Sequence, residues 1–190
     1  KTAVGLLLFL FLMAGAGKVQ ADTVNPEEKT DYTTYIQTVY NRENGLPGGC
    51  ANDIAQTADG ILWIGTYGGL YRYNGNEFQW MDEFESVKTV NCLYTDEEGR
   101  LWIGTNDSGL SICINETITN VVSEKDGLTA DSVRCITQSS DGDYYVGTSG
   151  AMSILTLAGG LSVKDTIPEI IYANSIDSDQ NGNIAVVTDE

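Results

Sequence analysis

The sequence predicts an all-β protein of repeated four-stranded antiparallel sheets, and three observations predict it. The first is a pentapeptide: Leu62-Trp63-Ile64-Gly65-Thr66 recurs as Leu101-Trp102-Ile103-Gly104-Thr105 and, altered, as Tyr144-Tyr145-Val146-Gly147-Thr148. The second is the turn ahead of each copy, Asp59-Gly60, Glu98-Gly99 and Asp141-Gly142, with a fourth at Asn181-Gly182 before the degraded Ile184-Ala185-Val186-Val187-Thr188. The third is the period: the turns stand roughly 40 residues apart, the size of a propeller blade. Together they predict a β-propeller, of which this chain supplies an amino-terminal portion of about four blades preceded by a signal peptide.

In chain order, Lys1 precedes an apolar run over 3–16 that closes at Lys18 and Val19-Gln20-Ala21. Charged, apolar and small residues in that order make a secretory signal peptide, with cleavage expected after Ala21. The run is shorter than the roughly 20 apolar residues that cross a bilayer. Residues 22–31, with Asn25-Pro26-Glu27-Glu28-Lys29, form a polar leader. Residues 32–40 alternate in the manner of a strand and run into Asn44-Gly45-Leu46, as Val121-Val122 runs into Asp126-Gly127-Leu128. They are therefore expected to be an outer strand that completes a last blade, its inner strands lying further along the parent.

The repeats then span about 45–82, 85–123, 127–165 and a truncated 168–190. In the first, strands are expected over 51–56, 61–66, 70–74 and 77–81. The second repeat has strands from 89 to 93, 101–105, 110–114 and 118–122; the third from 132 to 136, 144–148, 152–157 and 161–164. The fourth offers only 172–177 and 184–188. Asp59-Gly60 and Asn74-Gly75 predict type I′ hairpins, since both residues tolerate positive φ. One apolar residue precedes each turn glycine at a fixed offset: Ile54, Leu93, Ile136 and Ile176. Stacked blades need that regularity, because each sheet buries its faces only against its neighbours.

Trp63 and Trp102 are large apolar slabs suited to the gap between twisted blades, with Tyr145 in their place in the third copy. Gly65, Gly104 and Gly147 permit close backbone approach or a bulge beside the turn. The four cysteines, Cys50, Cys92, Cys113 and Cys135, form no CxxC pair; Cys92 and Cys135 share a repeat position and read as small, partly buried strand residues.

The net charge of −17 repels phosphate backbones, so no nucleic acid is expected as a partner. With no histidine in the chain, histidine general bases and Ser-His or Cys-His centres are excluded within it. Asp82-Glu83 and Glu97-Glu98 read as solvated turns, so no catalytic residue is assigned. Asp177 to Gly182 opens like a calcium loop, but the twelfth position is Thr188 where a bidentate glutamate is needed. No metal or cofactor is expected.

Gly45-Leu46-Pro47, Asp53-Ile54-Ala55-Gln56, Asp59-Gly60, Leu62 to Thr66 and Gly69-Leu70-Tyr71-Arg72-Tyr73, in that succession, closely resemble the two-component regulator propeller repeat. The second copy matches at Asp96, Gly99, 101–105 and Gly109-Leu110; the third departs at Tyr145 and Ala151-Met152. The resemblance implies an extracytoplasmic sensor of a bacterial membrane signalling protein. It also implies a cytoplasmic histidine kinase or diguanylate cyclase further along the parent, outside these residues.

The binding surface is expected in the loops at one end of the ring, over 45–50, 85–89 and 127–131 and over 67–69 and 106–109. Candidate ligand contacts are Tyr67, Tyr71, Arg72, Asn106 and Asp107. Tyr67, Tyr71, Tyr73 and Trp80 read either as an aromatic surface for a glycan or as cross-strand pairs. Expected partners are a small molecule or glycan, downstream signalling domains of the same chain and a second copy through the parent. A secreted carbohydrate-active propeller is the alternative and would need clustered acids at the axis, where the inner strands offer only Asp53; a structural array is a third.

Overall fold

The computed structural model describes residues 37–46, 50–179 and 181–189. The signal peptide, the leader and residues 32–36 lie outside them. The chain divides into two units, Lys1–Thr38 and Val39–Glu190. Of the first, only Gln37 and Thr38 are described; both are exposed and lack regular structure.

The second unit is all β. Its first sheet is β1 (Ala51–Gln56), β2 (Leu62–Thr66), β3 (Gly69–Tyr73) and β4 (Phe78–Trp80). The second is β5 (Val90–Thr95), β6 (Leu101–Thr105), β7 (Leu110–Ile114) and β8 (Thr117–Val122). The third is β9 (Val133–Gln138), β10 (Tyr144–Thr148), β11 (Ala151–Thr156) and β12 (Ser162–Ile171). A two-stranded sheet follows, β13 (Ala173–Ser178) with β14 (Ile184–Thr188). Each is an antiparallel meander in sequence order, and β1, β5, β9 and β13 neighbour one another in turn. This is a partial β-propeller, with one strand from each sheet at the axis. Among the described residues no helix is long and apolar enough to cross a membrane.

The core lies between sheets because the pentapeptide alternates with period 2. Trp63 and Leu70 pack with Val87, Val90, Leu101 and Ile103, joining the first sheet to the second. Trp102 and Ile112 face the other way and pack with Val133, Tyr144 and Val146 of the third. Cys135, Met152 and Ala173 continue the series to the fourth, with Tyr145, Ile176 and Val186 against them. Leu93 and Ile136 are buried as their offset predicts; Ile54 is 60% exposed, because among the described residues no sheet packs on that side of β1.

Each pentapeptide glycine sits where the next inner strand arrives. A Cβ on Gly65 would lie 2.5 Å from Val90 Cγ1, on Gly104 2.6 Å from Val133 Cγ1, and on Gly147 2.7 Å from Ala173 Cβ. Close approach and bulge coincide, since the ladder register slips opposite these residues in all three sheets. Gly104→Ala is accordingly expected to destabilise by about 1–3 kcal/mol through overpacking. A shift in the urea midpoint with unchanged slope would measure it; an unchanged midpoint would mean that the sheets stand further apart.

Four features depart from the sequence expectation. Gly60 and Gly75 have positive φ but Asp59 and Asn74 do not, so neither hairpin is type I′. At the first, Gly60 N–H bonds Thr57 O and Thr57 N–H bonds Ile61 O, a three-residue loop closed by a left-handed glycine. The two-residue turn with both φ positive is instead Asn115-Glu116, between β7 and β8. The outer strand β12 runs past Lys164 to Ile171, because a wide bulge opposite Ala151-Met152 accommodates Pro168 on an edge that needs no N–H. Finally, of the strand expected over 32–40, residues 37–40 are described and carry no strand assignment. The Tyr40 ring instead packs edge-on to Phe78, 5.1 Å between centroids, and its hydroxyl hydrogen-bonds that of Tyr73.

Candidate functional site

The loops that enter the inner strands and those that follow the second strands meet at one end of the sheets. The pentapeptide threonine builds the second kind identically in three sheets. Thr66, Thr105 and Thr148 donate their hydroxyls to Gly69, Gly109 and Ala151 carbonyls and accept from the Gly68, Ser108 and Gly150 amides. Backbone bonds then tie these loops to the entering segments, Asn106 N–H to Thr89 O and Ser149 N–H to Ser132 O.

The second residue of each inner strand faces this end: Asn52, Asn91, Arg134 and Asn174. Asn52 donates its amide to Val90 O at 2.7 Å and Asn91 to Val133 O at 3.0 Å, so each clasps the following sheet. In the third sheet the thiol of Cys135 takes the corresponding carbonyl, Ala173 O, at 3.5 Å. Arg134 reaches the following sheet too, through a side chain rather than a carbonyl: it donates to Asn174 Oδ1, whose own amide donates to Asp189. These four, with Ala51, Tyr67, Asn106 and Ser132, line a cavity of about 450 Å³.

Of the residues expected to touch a ligand, Tyr67 and Asn106 are brought together at this cavity. Tyr71 is buried and stacks on Trp80. Arg72 faces the second sheet, bonded to Gln79 and in an ion pair with Glu116 at 2.8 Å. Asp107 accepts the hydroxyls of Thr89 and Ser108 and so holds its loop in shape. Tyr73 stacks on Phe78, a cross-strand pair. Sequence reading missed Asn52, Asn91, Arg134 and Asn174; their common offset from the turn glycines was the available signal.

The opposite end carries a second polar cluster that the sequence reading also missed. The buried Asp96 carboxylate accepts from Trp102 Nε1 at 2.8 Å, Arg100 Nε at 2.6 Å, Tyr144 Oη at 3.0 Å and the amides of Glu98 and Arg100. Burial alone would raise its pKa, yet the bonds from Trp102, Arg100 and Tyr144 hold it below the usual aspartate value. Burial and the facing carboxylate push the Tyr144 phenol upward, so it stays a donor. This cluster fastens two sheets together and is saturated by its own partners. Asp179, at the fourth turn, is likewise occupied by Asn181 and Asn183. Burial drives the Cys113 and Cys135 thiols up to about 11, leaving them poor nucleophiles at neutral pH.

The two component regulator propeller family matches residues 45–68, 85–107 and 127–150, each running from an entering loop through two strands to the loop beyond. These three segments are two component regulator propeller repeats. No curated protein matches the chain. Among solved structures, it resembles the extracellular domain of a putative one component system of B. thetaiotaomicron, with 24% identity over 78% of this chain and 21% of that one and a TM-score of 0.61. A putative hybrid two component system of the same organism gives 16% identity, 73% and 22% coverage and a TM-score of 0.60. Virginiamycin B lyase of Staphylococcus aureus gives 15%, 73%, 48% and 0.57. At these identities the likeness is one of fold, and the chain spans about a fifth of the length of the B. thetaiotaomicron domains. Tyr67 and Asn106, near the ends of the first two matched segments, line the cavity.

Proposed function

We propose that the chain is part of the extracytoplasmic ligand-sensing propeller of a bacterial membrane-bound signalling protein, which passes occupancy of its loop end to a cytoplasmic output domain. The three regulator propeller repeats are the observation that carries this reading. Its support includes the shared fold with extracellular domains of one component and hybrid two component systems. An export signal at the amino terminus would deliver the propeller outside the cytoplasm. Rigid sheets would present the variable loops to solutes there.

The fold likeness to a streptogramin-type lyase favours a second, enzymatic reading, and a histidine-to-alanine virginiamycin B lyase is described as catalytically inactive. Since the 190 residues contain no histidine, that reading gains no support from side chains here. The reading frame beyond residue 190 tests both. A membrane-spanning helix followed by a kinase or cyclase domain is expected; a stop codon directly after ring closure would contradict the sensor reading.

A further inference from the structure

We propose that Asn74 is a self-modifying site: the backbone nitrogen of Gly75 attacks its side chain, and the folded protein converts this asparagine to aspartate and isoaspartate. The reactive tripeptide occurs twice with the same residues, as Asn74-Gly75-Asn76 and as Asn181-Gly182-Asn183. A glycine after the asparagine carries no Cβ to hinder the attacking nitrogen. In an unfolded chain the two copies should therefore react at similar rates. The fold separates them.

At Asn181 both reacting groups are tied down. Gly182 N–H donates to Asp179 O at 3.2 Å, and the leaving amide, Asn181 Nδ2, donates to Asp179 Oδ2 at 3.3 Å. The other repeat turns hold their glycine amides in the same way, Gly60 on Thr57 O, Gly99 on Asp96 O and Gly142 on Ser139 O. Asn74-Gly75 lies instead in the exposed loop from β3 to β4. Among the described residues neither Gly75 N–H nor Asn74 Nδ2 has a hydrogen-bond partner there. The side-chain oxygen, by contrast, is engaged: Asn74 Oδ1 accepts from the amides of Asn76 at 2.9 Å and Glu77 at 3.1 Å. Two donors on Oδ1 draw electrons from Cγ and stand where negative charge develops as the nitrogen adds. They also hold the side chain against its own backbone, which favours ring closure.

The Gly75 nitrogen gives its proton to water and bonds to Asn74 Cγ; the Cγ–Nδ2 bond breaks, and the amide takes up a proton and leaves as ammonia. Water then opens the five-membered imide at either carbonyl, giving aspartate or isoaspartate. Aspartate suits the loop, because a carboxylate oxygen can accept two backbone amides, as Asp96 Oδ1 and Asp179 Oδ1 do. Isoaspartate adds a methylene to the backbone between Tyr73 and Phe78, the cross-strand pair whose rings stack at 4.5 Å.

The test is peptide mapping by mass spectrometry on the full-length extracytoplasmic protein, incubated in mildly alkaline buffer both folded and in concentrated urea. In the folded protein Asn74 is expected to deamidate about tenfold or more faster than Asn181, since only at Asn181 must hydrogen bonds break before reaction. In urea the two rates should converge. Asp179→Ala, which frees Asn181 Nδ2, should speed reaction at Asn181 severalfold and leave Asn74 unchanged. Equal rates in the folded protein, faster reaction at Asn181, a difference that persists in urea, or no acceleration at Asn181 in Asp179→Ala would each overturn the inference.

Discussion

Trp102→Ala should lower stability by about 3–5 kcal/mol, the largest effect expected of any single substitution in the pentapeptide repeats. The indole is fully buried, stacks on Tyr144 at 3.8 Å between centroids and 25° between planes, and donates its N–H to Asp96. Truncation leaves a cavity between two sheets and removes one donor from a buried carboxylate. Because the unit gains its core only where sheets meet, nothing within the second sheet compensates. For a chain of this length the loss corresponds to a fall in melting temperature of about 6–20 °C. A melt that hardly moved would mean the indole is not packed between sheets.

Asp96→Ala is expected to cost a comparable amount, about 3–5 kcal/mol, by a different route. The substitution strands the Trp102 and Tyr144 donors and, among the described residues, leaves the half-buried Arg100 with only Glu98 as an acid. The same carboxylate makes stability depend on pH. Its folded pKa is depressed, so its contribution is present above its unfolded value of about 4 and disappears as pH falls through the folded value. The stability gap between wild type and Asp96→Asn should therefore be full at pH 7 and shrink steadily below about pH 4. A gap independent of pH down to about 2 would show that Asp96 carries no depressed pKa in the fold.

The architecture was legible because it is periodic. Turn glycines, the pentapeptide and the alternation of Leu101, Trp102 and Ile103 each repeat, so strand positions followed within a few residues everywhere but the end of β12. What periodicity hid were the places where one copy departs from the others. Tyr145 occupies the tryptophan position and drew attention, yet Tyr144, aligned with Leu101, stacks on Trp102, because alternation turns it back toward the preceding sheet. Arg134 is hidden for the related reason that its place is shown only by comparison with Asn52, Asn91 and Asn174 at the same repeat position. Tyr71 and Arg72 looked like surface residues, but their exposure depends on strand pairing and on Glu116 in the next sheet, neither of which local composition records.

A double-mutant cycle on Trp102→Ala and Tyr144→Leu examines most directly whether successive repeats form separate sheets fanned about one axis. These residues come from different repeats and meet only across an inter-sheet gap; leucine is the residue that the other two copies carry at the Tyr144 position. Facing sheets predict a coupling energy of about 1–3 kcal/mol in chemical denaturation. Effects that add to within about 0.5 kcal/mol would place the two rings apart and contradict the propeller arrangement.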